Sequence, residues 1–354
     1  MLDHGGNLKQ AMAYFGGNRD EWHDLSAGLN PNFYPVSEHI VRAEDWHRLP
    51  EMNEEFLNAA REYYQCENLL AVAGSQAAIQ ALPRILSSGI LSLQPQSRVV
   101  VSSPSYAEHL HQWTRSGYFE VCEVPYLGLA NAVSKADIMV VCNPNNPTGE
   151  LIQPELLLEW AEYLACRGGF LIVDEAFADL QPHYSVASYT EHAGLIVLRS
   201  FGKFFGLAGA RLGFVAAQNH VLNRLAAHLG PWAVGEVAQN IARLALQDQL
   251  WQKSARQTLS LQGLRLRQLL STQGIQSAGT DLFQWCSEQS LQGRSQELWQ
   301  FLAERRIWTR LFRQSAKGLR FGLPANELAW QALHSALQSW GQHASSNFST
   351  RLRS

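Results

Sequence analysis

Residues 137–177 read DIMVVCNPNNPTGELIQPELLLEWAEYLACRGGFLIVDEAF, and this stretch decides the fold. Its two ends, 137–143 and 169–177, are short, continuously apolar runs, the pattern of strands buried on both faces. Between them PELLLEWAEYLACRGG opens with Pro154 and closes with glycine, as a helix does. Strand, helix and strand in this order predict a parallel crossover. Outward from this unit the apolar runs return as RVVVSS (98–103), LIVLRSF (195–201) and LGFVAA (212–217), and a helical YAEHLHQWTRSG (106–117) follows the first of them. The chain is predicted to be α/β, a largely parallel sheet with helices on both sides.

The last third has another rhythm. Helical stretches at 219–229 and 235–272 precede a strand-like DLFQWCS (281–287) and the helix QELWQFLAERR (296–306). Two short segments, IWTRLFR (307–313) and GLRFGLP (318–324), and a helix near ELAWQALHSALQSW (327–340) complete it. The expected organisation is an N-terminal arm over 1–45, a large domain over 46–245, a small α+β domain over 246–340 and a loose, Ser-rich tail over 341–354.

Composition removes several classes of function. The 354 residues are 46% hydrophobic, enough for a substantial core, and the formal net charge of −3 argues against a dominant grip on nucleic-acid phosphates. No apolar run approaches the ~20 residues that span a bilayer. The polar start MLDHGGNLKQ lacks a secretory pattern, and five scattered cysteines without a CxxC pair fit reduced thiols, so a cytoplasmic location is expected. The sequence has no GxGxxG after a strand, no GxxxxGK[ST], no HExxH and no GxSxG. His109 and His111 form the nearest histidine pair, but i, i+2 positions diverge on a helix, so no metal is expected.

Four segments carry candidate chemistry: AGSQAA (73–78), NPNNPTG (143–149), VDEAF (173–177) and SFGKFFGLAGARLG (200–213). Each has an ordinary explanation taken singly. Asn146 lies in a turn-forming run, yet it follows a buried strand, where open α/β sheets bind ligands. Asp174 leaves an apolar strand, either as a solvated strand end or helix cap, or paired with a ligand cation. Lys203 and Arg211 are ordinary surface residues in isolation. Gly74-Ser75-Gln76 opens a helix, as a simple cap or as a cradle for a phosphate. Pro83 either kinks that helix or ends it early.

Together, the order and spacing of these segments resemble the fold-type I pyridoxal-phosphate enzymes, the aspartate aminotransferase superfamily. The resemblance covers nearly the whole chain and is strongest over 73–213. It implies a large domain with a mostly parallel seven-stranded sheet, a smaller α+β domain, pyridoxal 5'-phosphate as cofactor and a homodimer. It further implies that Lys203 carries the cofactor covalently and moves the proton. Asp174 would hold the pyridine nitrogen protonated, Asn146 would donate to the phenolic oxygen, and Tyr106 would stack on the ring. Gly74, Ser75, Gln76, Ser200 and Arg211 would hold the phosphate.

A narrower resemblance is to the threonine-phosphate decarboxylases of cobalamin biosynthesis, relatives of the histidinol-phosphate aminotransferases. His4-Gly5-Gly6-Asn7 and Asp24-Leu25-Ser26-Ala27-Gly28-Leu29-Asn30-Pro31 are similar to that group, which implies substrate contacts from His4, Gly5 and Gly28. A flexible terminus is the plainer explanation of the first of these motifs. Arg320 and Arg310 match arginines that grip the anions of a phosphorylated amino acid, with Arg305, Arg306 and Arg313 as neighbouring decoys. Three positions depart from the aminotransferase pattern: Phe177 in place of a tyrosine that supports the phenolic oxygen, Leu49 in place of a cross-subunit tyrosine, and Gly28 in place of an asparagine. The resemblance implies decarboxylation of L-threonine O-3-phosphate. An aminotransferase of histidinol-phosphate type and a binding protein on a retired enzyme fold are the alternatives.

Overall fold

The computed structural model describes residues 5–37, 40–87, 96–314 and 316–351, with the last nine as helical backbone only. The chain forms two compact units: Phe33–Asn146 with Glu150–Arg256, and Met1–Asn32 with Pro147–Gly149 and Gln257–Ser354.

The larger unit is built on seven strands: β1 (Leu69–Val72), β2 (Arg98–Ser103), β3 (Glu120–Pro125), β4 (Ile138–Cys142), β5 (Phe170–Asp174), β6 (Leu195–Ser200) and β7 (Gly213–Ala216). Their order across the sheet is β1-β7-β6-β5-β4-β2-β3. All neighbours pair in parallel except at β7, which is antiparallel to both β1 and β6. The mostly parallel seven-stranded sheet is therefore as expected. β4, β5 and β6 are buried along their whole length, which explains their predominantly apolar sequences. The crossover helix Pro154–Ala165 has Pro154 in its first turn and buries Leu157, Trp160, Ala161 and Leu164.

The smaller unit carries a four-stranded antiparallel sheet of β8 (Ala278–Thr280), β9 (Phe283–Ser287), β10 (Arg310–Phe312) and β11 (Gly318–Gly322), in the order β10-β11-β9-β8. His23–Asp24 pairs in parallel with Ile307–Trp308, tying the N-terminal segment into this unit.

The boundaries differ from those expected. The larger unit begins at 33 rather than 46, because the backbone N–H of Tyr34 donates to the Phe205 carbonyl (2.9 Å) and its ring packs edge-on against Trp251 (5.1 Å between centroids). It ends at 256 rather than 245, because Arg256 donates to the Asp179 carbonyl (2.8 Å) and lies over the Phe204 ring. The helical stretch 235–272 is two helices, Glu236–Gln247 and Gln249–Thr272, with the Asp248 carboxylate accepting from the Trp251 N–H at the start of the second (2.9 Å). The last helix runs from Glu327 to Arg351, where a loose tail was the expectation. No proline interrupts residues 327–351, so the helix continues through their polar end.

Candidate active site

Six strands of the large sheet run one way, so their carboxyl ends share one edge, the edge at which open α/β sheets bind ligands. β4 ends at Cys142 and leads into the Asn/Pro loop. There the Asn143 side chain donates to the Ile152 carbonyl and accepts from its N–H (3.0 and 2.8 Å), and Asn145 donates to the Pro104 carbonyl (2.8 Å). With the loop fastened by these two, Asn146 faces the pocket beyond. β5 ends at Asp174. β6 ends at Ser200, and the short helix Phe201–Phe204 that follows carries Lys203. β7 is entered from Arg211.

Gly74, Ser75, Gln76, Tyr106, Asn146, Asp174, Ser200, Lys203 and Arg211 all line one pocket, which encloses about 740 Å³ of non-atom space, part of it open to solvent. The cofactor residues expected from the motifs are thus brought together. Two glycines shape one end. Gly74 has φ +75°, and a Cβ there would lie 2.9 Å from Arg211 Nη2; a Cβ at Gly213 would lie 2.4 Å from the Ser75 nitrogen. Their absence lets a guanidinium and the N-terminus of the helix Ser75–Ser87 converge, an arrangement suited to a phosphate. That helix continues past Pro83 to Ser87, so the proline does not end it.

Gln76 has a second task that its motif does not reveal. Its amide accepts from the Tyr106 hydroxyl (3.1 Å) and donates to Glu108 Oε2 (2.8 Å), fixing the tyrosine's direction. Burial, reinforced by the Glu108 and Asp174 carboxylates, pushes the Tyr106 phenol well above its ordinary pKa, so it stays protonated.

Asp174 is 5% exposed and each carboxylate oxygen has a partner in the protein. Oδ1 accepts from the Ala176 N–H (3.0 Å) and Oδ2 lies 2.8 Å from His109 Nε2. Burial alone would lower the pKa of His109; Cys142 and the hydrogen-bonded Asp174 outweigh it and hold the ring's pKa up to about 10. His109 therefore donates to Asp174. Sequence reasoning weighed His109 only as a metal ligand. The missed signal is its place one helical turn after Tyr106, which puts both rings on one face. Phe177 also lines the pocket, with its ring centroid 5.6 Å from Lys203 Nζ, so no hydroxyl stands at that position.

Beneath this edge Arg199, 2% exposed, binds Glu175 through Nη1 (2.5 Å) and Asp179 through Nη2 (2.6 Å) and lies over the Tyr64 ring. Glu175 also accepts from Ser185 Oγ (2.5 Å) and the Val186 N–H (2.7 Å). Glu175 follows Asp174 in the chain and Arg199 precedes Ser200, so this ion network brackets two pocket residues.

The smaller unit gathers the other predicted residues. Arg310 and Arg320 are directly opposite each other on β10 and β11, on one face of the sheet. Arg320 is buried and donates from Nη2 to the Ser26 carbonyl (2.8 Å), which fixes the loop holding Gly28. Gly5 packs on the same carbonyl, since a Cβ there would come within 2.4 Å of it, and Gly6 N–H donates to Ser26 Oγ (2.6 Å). Asn7 caps the helix Leu8–Phe15. This part of the HGGN motif is therefore bonded in place rather than a loose end; His4 lies outside the described residues. Gly5, Ser26, Thr309, Arg310 and Arg313 line a cavity of this unit. Arg306, chosen as a decoy, is a strap: its Nη1 donates to the Phe15 carbonyl (2.5 Å) and its guanidinium lies over Trp22. In the larger unit Leu49 is 65% exposed.

Residues 25–325 match the model of the aminotransferase class I and II family. The chain is 44% identical to a threonine-phosphate decarboxylase of Pseudomonas aeruginosa, over 97% of this chain and 99% of that one. It is 30% identical to a histidinol-phosphate aminotransferase of Citrobacter koseri, over 68% of this chain and 67% of the other. The solved histidinol-phosphate aminotransferase of Sinorhizobium meliloti, in complex with pyridoxal-5'-phosphate, superposes with a TM-score of 0.78 over 96% of both chains at 19% identity. From the pocket at the sheet edge to these matches, the observations agree: the chain belongs to the aminotransferase class I and II family.

Proposed function

We propose that this enzyme decarboxylates L-threonine O-3-phosphate with pyridoxal 5'-phosphate as cofactor, releasing CO₂ and (R)-1-amino-2-propanol O-2-phosphate, a linker for cobalamin assembly. The observation that carries the substrate class is the cross-strand pair Arg310–Arg320. Their register puts two guanidinium groups side by side on one face of the sheet. A phosphate ester that also bears a carboxylate supplies two anions, and planar guanidinium suits both. The extent of similarity to a threonine-phosphate decarboxylase supports the same substrate.

The pocket residues fit the cofactor. A cradle that a Cβ at residue 74 or 213 would fill suits the phosphate, Asp174 suits a protonated ring nitrogen, and Lys203 suits a carbonyl. When bound, the cofactor accepts the electron pair released as a bond to the substrate's α-carbon breaks. The protein decides which bond that is. Arg211, Ser200 and the first N–H groups of the helix Ser75–Ser87 hold the cofactor phosphate. Tyr106, directed by Gln76, covers the ring, and Asn146 donates to the phenolic oxygen. Asp174, oriented by His109, would hold the proton on the ring nitrogen. Within the smaller unit Arg310, Arg320 and Gly5 would hold the substrate's anions, which spends remote binding on orientation. Lys203 Nζ then delivers a proton to the α-carbon. Phe177 leaves the phenolic oxygen without a tyrosine donor, unlike the usual aminotransferase pattern.

The enzyme is proposed to be a cytoplasmic homodimer. Among the described residues no helix is long and apolar enough to cross a membrane, and all five cysteines are free. Met52, Leu70, Leu229, Pro231 and Trp232 line an apolar groove of the larger unit, with Trp232 60% exposed, which suits a second copy of the chain.

The test is incubation of the loaded enzyme with threonine phosphate while CO₂ and amine product are measured. Borohydride reduction and peptide mapping should place the cofactor on Lys203. Keto-acid-dependent formation of pyridoxamine phosphate without CO₂ release would favour the aminotransferase alternative.

A further inference from the structure

Three side chains of zinc-binding type meet in the cofactor pocket's wall. His109 comes from the helix Ala107–Ser116, Cys142 from the end of β4 and Asp174 from the end of β5. Their ligand atoms all lie within 4.8 Å of one another, and the residues are 2%, 3% and 5% exposed. Imidazole nitrogen, thiolate sulfur and carboxylate oxygen together form a donor set for Zn²⁺; a magnesium or calcium site would use oxygens alone. Cys142 and Asp174 both line the pocket. Ser105 Oγ, 3.1 Å from Cys142 Sγ, supplies an outer hydrogen bond to the sulfur.

We propose that the cofactor-free enzyme binds one Zn²⁺ through His109, Cys142 and Asp174, and that zinc and pyridoxal phosphate exclude each other because both require Asp174. The exclusion rests on the reading of this pocket as the cofactor site. Bonds of about 2.0–2.3 Å in a tetrahedron hold the donor atoms roughly 3.3–3.8 Å apart. The His109–Asp174 contact of 2.8 Å therefore opens by about half an ångström as its hydrogen bond is replaced by metal bonds. Binding releases the thiol proton and the proton shared by imidazole and carboxylate to solvent, with no redox change. Reciprocity requires that zinc weaken cofactor binding by the same factor by which the cofactor weakens zinc binding.

The test uses the full-length protein, stripped of cofactor and metal, with parent, Cys142→Ser and a surface control, Cys166→Ser. Bound metal is measured after gel filtration, and cofactor loading by absorbance on Lys203. The parent and Cys166→Ser should each hold one zinc per chain, with Co²⁺ giving a thiolate-to-metal absorption band. Cys142→Ser should lose zinc affinity by about 100-fold or more while its fold, read by circular dichroism, is retained. Zinc should raise the pyridoxal phosphate concentration needed for loading in the parent and not in Cys142→Ser. Zinc binding unchanged in Cys142→Ser, or zinc and cofactor held together on one chain, overturns the proposal. Failure of the metal-free parent to load cofactor on Lys203 overturns the cofactor reading instead, independently of the metal measurement.

Discussion

Gly74→Ala tests the phosphate cradle with one methyl group. The substitution has two separable effects. First, residue 74 has φ +75°, a conformation that costs an alanine on the order of 1–2 kcal/mol. That strain is present with and without cofactor, so it lowers stability but cancels from the binding equilibrium. Second, the new Cβ would sit 2.9 Å from Arg211 Nη2, so the guanidinium must swing away from the helix N-terminus. Loss of one charge-assisted hydrogen bond to a phosphate is worth about 1.5–3 kcal/mol, which weakens cofactor binding roughly 10- to 150-fold. The assay is paired equilibrium titration of parent and variant with pyridoxal phosphate and with pyridoxal. Phosphate-bearing cofactor should lose affinity by that factor while pyridoxal changes little. Equal losses for both ligands, or none for either, would refute the idea that Gly74 exists to seat Arg211 on the phosphate.

Three further outcomes follow from the geometry. Arg310→Ala and Arg320→Ala should each lower kcat/KM for threonine phosphate by about 2–4 kcal/mol, or roughly 30- to 1,000-fold, with part of the loss in kcat. Arg320→Ala should also lower the melting temperature through the lost Ser26 contact, and the exposed Arg305 is the matched control. In metal-free, cofactor-free protein the folded-state pKa of His109, about 10, lies above its unfolded value of 6.5. Its contribution to stability is therefore complete below about pH 6.5 and is lost as pH rises toward 10. Melting temperatures measured from pH 6 to 10 should fall more steeply for the parent than for His109→Gln; parallel curves would show that His109 is not charged. Finally, Trp232→Glu should shift the mass measured by light scattering from dimer toward monomer at micromolar concentration; an unchanged dimer would place the interface elsewhere.

The sequence exposed those parts of the site that sit where a pattern breaks. Asn146 and Asp174 follow apolar runs, and Lys203 follows a largely apolar run interrupted by Arg199, so their places at or just beyond a strand end are readable from neighbouring residues alone. The smaller unit's arginines were readable only as motif matches, because solvated arginines on short strands look alike; the opposed register of Arg310 and Arg320, and the burial of Arg320, distinguish them. His109 was not readable in its present role, since its partner lies 65 residues away on another strand. β1 and β3 were missing from the strands read by pattern: they are the two edge strands of the sheet, and β3 has half-exposed sides. Arg199 left a signal that was passed over, a charge inside the apolar run LIVLRSF with no solvent to meet it.

That buried Arg199 also sets a limit on how strands β5 and β6 can slide. Their parallel pairing places Asp174 beside Leu198, and only in this alignment does Arg199 meet both Glu175 and Asp179. A slip of one residue would turn every side chain to the opposite face and strand charges in the interior, at about 3–5 kcal/mol for a broken pair. The ion network thus works as a register pin for the two strands that present Asp174 and Ser200. Libraries that vary this enzyme's preference have to treat residues 175, 179 and 199 as one inherited block, because single changes there misalign the strands before they alter any contact with substrate.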